Sequence, residues 1–68
     1  MTSRDVERIV RDVFTAKGIE ATVLTVHGTA AGWRVMLRVH GDQSVGLTVP
    51  DGPPASVRAA TERWADEL

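Results

Sequence analysis

Two histidines stand in near-identical settings, Thr25-Val26-His27-Gly28 and Arg38-Val39-His40-Gly41. Imidazole titrates close to neutrality and ligates metals readily, so such a pair could hold an ion or move a proton. Spacing argues against a shared ion site within one chain. Each histidine closes a strand-like segment, and consecutive antiparallel strands put those ends on opposite sides of a sheet, roughly 20–25 Å apart. Zinc requires nitrogens at about 2.0–2.1 Å. No metal or other cofactor is therefore expected. The chain has no cysteine, which removes thiolate nucleophiles, disulfides and sulfur-ligated zinc. Thr25 and His27 share a strand face but lie about 6–7 Å apart, too far for a nucleophile and its base. No G-x-S-x-G, phosphate-cradling glycine loop or H-E-x-x-H is present, and Glu62 and Asp66 read as solvated helix neighbours. The sequence reads as a protein that is not an enzyme.

The arginines are more informative. Arg4, Arg8 and Arg11 recur along one helical row, but Asp5, Glu7 and Asp12 are interleaved with them, the pattern of an ordinary salt-bridged surface. Trp33 to His40 alternates instead: Trp33, Val35, Leu37 and Val39 fall on one face, and Arg34, Met36, Arg38 and His40 on the other. Arginine and methionine are favoured at interfaces. Arg34, Met36, Arg38 and His40 are therefore the predicted binding surface, and the expected function is a small regulatory or interaction module that binds a protein partner or a second copy of itself. Eight Lys+Arg against nine Asp+Glu give a net charge of −1, so no overall basic field draws the chain to nucleic acid or an anionic membrane. The longest run without a formal charge, Ala21 to Trp33, is broken by Thr, Gly and His and falls short of the roughly 20 apolar residues of a membrane span. The opening Met-Thr-Ser-Arg-Asp lacks the apolar region of a signal peptide, so a cytoplasmic location is expected.

These residues need elements to position them. Sixty-eight residues, 43% hydrophobic and 25% charged, fit a single domain over residues 1–68. Val6, Ile9, Val10, Val13 and Phe14 recur at helical spacing, predicting a helix over 3–17 with Ser3 as N-cap and Gly18 as its stop. Residues 19–27, 33–40 and 44–49 read as three strands joined by the short, turn-rich connections GTAAG and GDQ. The first of them carries apolar residues at both parities, which leaves its buried face open. Asp51-Gly-Pro-Pro then introduces a helix over 55–68, with Val57, Ala60, Trp64 and Leu68 on its stripe. The fold class is α+β in the order α-β-β-β-α, a three-stranded antiparallel meander with both helices on one face. Phe14, Trp33 and Trp64 are the large core candidates.

The element order, and the ending Arg58-Ala59-Ala60 through Leu68, resemble the double-stranded-RNA-binding-domain fold. That resemblance implies RNA phosphates gripped by a lysine cluster at the start of the last helix. Here Asp51 to Arg58 offers one acid and one arginine. The Leu47-Thr48-Val49-Pro50 segment is similar to one in HicA-type toxins, small ribonucleases with a Gly-Ser-His catalytic setting that this chain does not contain. Nucleic-acid binding, or a degenerate HicA-like ribonuclease using His27 or His40, are thus the alternative functions. All but one of the basic residues are arginine, a usage expected of a GC-rich, bacterial or phage genome.

Overall fold

The computed structural model describes all 68 residues. The first helix, α1 (Ser3–Ala16), buries Val6, Ile9, Val10, Val13 and Phe14, the full stripe that the spacing predicts. Its cap lies one residue earlier than expected. Thr2 is the N-cap: its Oγ1 accepts from the Asp5 amide at 3.3 Å, while its own amide donates to Asp5 Oδ2 at 2.8 Å. These two bonds satisfy orphan donors reciprocally, and Ser3 has no equivalent partner three residues on. The Thr2 bonds, backbone first, hold the Asp5 carboxyl below the usual carboxylate range. A depressed folded-state pKa stabilises the helix above the ordinary Asp pKa, and the benefit fades as acid protonates the group. Gly18, at φ 74°, follows the Lys17 C-cap and stops the helix as anticipated.

Three strands follow, β1 (Ala21–Thr29), β2 (Gly32–Val39) and β3 (Gln43–Val49), as an antiparallel sheet in the order β1-β2-β3. Strand β2 alternates as read, with Val35, Leu37 and Val39 buried and half-buried Trp33 beside them. Strand β1 owes its mixed parity to a bulge. Val23 pairs with Leu37 and Thr25 with Met36, so Leu24 is the extra residue. On one side of it Ala21 and Val23 face the core; on the other Val26 does, opposite Val35. A single inserted residue inverts every later side chain.

The second helix, α2 (Pro54–Asp66), starts with Pro54 in its first turn, where no N–H donor is needed. Its buried residues are Val57, Thr61 and Ala65, with Ala60 and Trp64 packed at the margin. The expected stripe is corrected here. Thr61 enters the core because its hydroxyl donates to the Val57 carbonyl at 2.8 Å, which removes the penalty of burying it. Leu68 lies past the helix end and is 49% exposed. Helix α1 packs on β1, α2 on β3, and the helices on each other. Both therefore cover the Val35/Leu37/Val39 face, and Phe14 fills the space between sheet and helices. No helix is long and apolar enough to cross a membrane.

Candidate functional site

With both helices on one side, the opposite face of the sheet is uncovered. Cross-strand pairing organises it into three rows. His27, Arg34 and Thr48 form one end row; Thr25, Met36 and Gly46 form the middle; Thr22, Arg38 and Ser44 form the other end. Arg34 and Arg38 are four residues apart on one strand, about 13 Å. Both are exposed, and Met36 between them is half-buried. Leu24, the bulged residue of edge strand β1, is 43% exposed.

Three of the four expected site residues, Arg34, Met36 and Arg38, share this face. His40 does not extend it. Strand β2 ends at Val39, and His40 sits in the β2–β3 turn at φ 51°, a left-handed conformation in which its side chain leaves the strand alternation. His27 takes its place on the face, opposite Arg34. Its parity could not be read from β1 without the bulge, and a doubled Val-Leu step amid alternating Thr and Val was the only trace of it. The two histidines remain at opposite ends of β2, one paired with Arg34 and one six residues beyond that position.

Electrostatics set this face apart. The three strands carry two arginines and no carboxylate; all nine acids lie on the helices, the connections or the ends. Both ion pairs, Glu7–Arg11 at 3.1 Å and Lys17–Asp66 at 2.5 Å, belong to helical residues and their caps. Arg34 and Arg38 take part in neither. The sheet face is thus cationic within a chain of net charge −1.

The sheet edges are less available. Trp64 Nε1 donates to the Thr48 carbonyl of edge strand β3 at 3.0 Å, and β1 is broken by its bulge. Either device discourages strand addition. Trp33 Nε1 donates to Asp51 Oδ1 at 3.2 Å, tying β2 to the segment that leads into α2. Comparison with protein-family models, curated proteins and solved structures finds no match.

Proposed function

We propose that the chain is a small non-enzymatic interaction module that binds a protein partner through the open face of its sheet. One observation carries this reading: two exposed arginines outside any ion pair flank a methionine on a sheet face that no helix covers. Guanidinium groups make planar, bidentate contacts to carboxylates, and a thioether adapts to irregular apolar surfaces. An apolar centre ringed by such forks has the make-up of a binding hot spot.

The test compares wild type with the Arg34→Ala, Arg38→Ala double variant in capture of the native partner from lysate, followed by binding isotherms. Affinity is expected to fall at least about tenfold, or roughly 1.4 kcal/mol. The melting curve is expected to be nearly unchanged, since exposed charges contribute at most about 1 kcal/mol. His40→Asn, tolerated in a left-handed turn, is expected to bind like wild type. Equal affinity in the double variant, or a partner that proves to be RNA, overturns the reading.

A further inference from the structure

Gly46 lies in the middle of β3, where glycine weakens a strand and a branched residue would strengthen it. Its backbone gives no reason for the choice: only Gly18, Gly32 and Gly41 among the glycines have positive φ. Side chains from β2 give one. A Cβ at position 46 would stand 3.1 Å from Met36 Sδ and 3.7 Å from a terminal guanidinium nitrogen of Arg34. Both side chains fold down over the glycine. The result is a low floor of thioether and backbone, with the Arg34 guanidinium folded in over Gly46 and Arg38 one row beyond Met36 on the other side. Glycine inside a strand often marks a place where another chain approaches closely.

Resting on the interaction reading above, we propose that this floor seats an acidic amphipathic helix of a partner protein, one apolar side chain over Met36 and Gly46 and a carboxylate toward each arginine. Two arguments on the face itself select this occupant. The strands carry no carboxylate while the rest of the chain carries nine, so charge complementarity calls for an acidic surface. The dimensions also agree. Residues at i−4, i and i+4 of a helix lie on one side and span about 12 Å, against the roughly 13 Å between the backbone positions from which the flexible Arg34 and Arg38 side chains reach. Such a helix would also give the sheet its missing second layer. A second copy docked face to face would oppose arginine to arginine. Single-stranded nucleic acid would find no Phe, Tyr or Trp on this face and only His27 as a ring for its bases to stack on.

The probes are a synthetic helical peptide repeating Glu-x-x-x-Leu-x-x-x-Glu, the same peptide with Lys in place of Glu, and a short RNA duplex. Amide shifts in nitrogen–proton NMR spectra of the full chain report the contact even at millimolar affinity. The Glu peptide is expected to shift Thr25, Met36 and Gly46 and to bind more weakly as salt rises; the Lys peptide is expected to leave them unmoved. Gly46→Val is expected to weaken the Glu peptide at least about tenfold while its melting temperature stays the same or rises, with Gly46→Ala intermediate. Equal binding of both peptides, shifts confined to the helices, or unchanged binding in Gly46→Val at full stability overturns the proposal. Displacement of the Glu peptide by RNA at lower concentration also overturns it. If Gly46→Val fails to fold, Met36→Ala carries the same expectation. Should the Arg34→Ala, Arg38→Ala variant lose its native partner while no Glu peptide binds, the face stands and the acidic helix falls; should that variant keep its partner, both fall.

Discussion

Gly32 opens β2 at φ 134°, and a Cβ there would come within 2.3 Å of the Val49 carbonyl oxygen and 2.9 Å of Pro50 Cα. Both neighbours are backbone at the junction of β3 with the segment leading to α2, so no side chain can rotate away. Gly32→Ala is therefore expected to cost at least about 2 kcal/mol, combining backbone strain with a clash. Urea denaturation checks it, and a loss below about 0.5 kcal/mol would mean that the β3–α2 junction yields freely. Gly46 is the opposite case, a glycine required by side chains lying over it and not by its own φ. Both residues look alike in sequence. The difference is legible only once the third strand is in place, because each depends on a contact from another strand.

Leu24 decides the handedness of β1 as a surface. Because it is the residue left over between the Val23–Leu37 and Thr25–Met36 pairs, deleting it is expected to leave both halves of β1 in their present register. The deletion variant is predicted to keep the Val23–Leu37 and Val26–Val35 cross-strand proximities in NMR spectra while losing the exposed leucine. Loss of the Val26–Val35 contact would show that the bulge maintains the pairing rather than interrupting it. The helices needed no such correction for existence or order, since α1 advertises itself through five apolar residues at helical spacing. In α2 the weaker pattern misled by one position, because a hydroxyl that can bond within its own helix counts as core.

A three-stranded sheet of order β1-β2-β3 has two free edges, and a molecule 29 × 19 × 19 Å in extent has little to cover them with. Trp64 serves both purposes. Its ring packs at the margin of the core while its indole N–H occupies a β3 carbonyl. Trp64→Phe keeps most of the ring and frees that carbonyl, so the expected loss of stability is modest, about 1 kcal/mol or less. The larger effect is on association. Sedimentation velocity is expected to show concentration-dependent self-association of Trp64→Phe under conditions where wild type is monodisperse. Identical profiles would mean that the carbonyl bond does not guard this edge.

Periodicity in the sequence alone determined the element order, the α1 stripe and the inward face of β2, because these follow from side chains three, four or two residues apart on one stretch of chain. Arg34, Met36 and Arg38 were found together for the same reason: they share one strand. Tertiary structure decided what periodicity cannot carry. Which residue of β1 bulges is set by pairing with β2; the presence of His27 on the open face follows from that bulge; and the departure of His40 follows from a turn closed by β3. The floor over Gly46, and the absence of any carboxylate around it, arise from three strands lying side by side. Local pattern reads one strand at a time, and a surface is built from several.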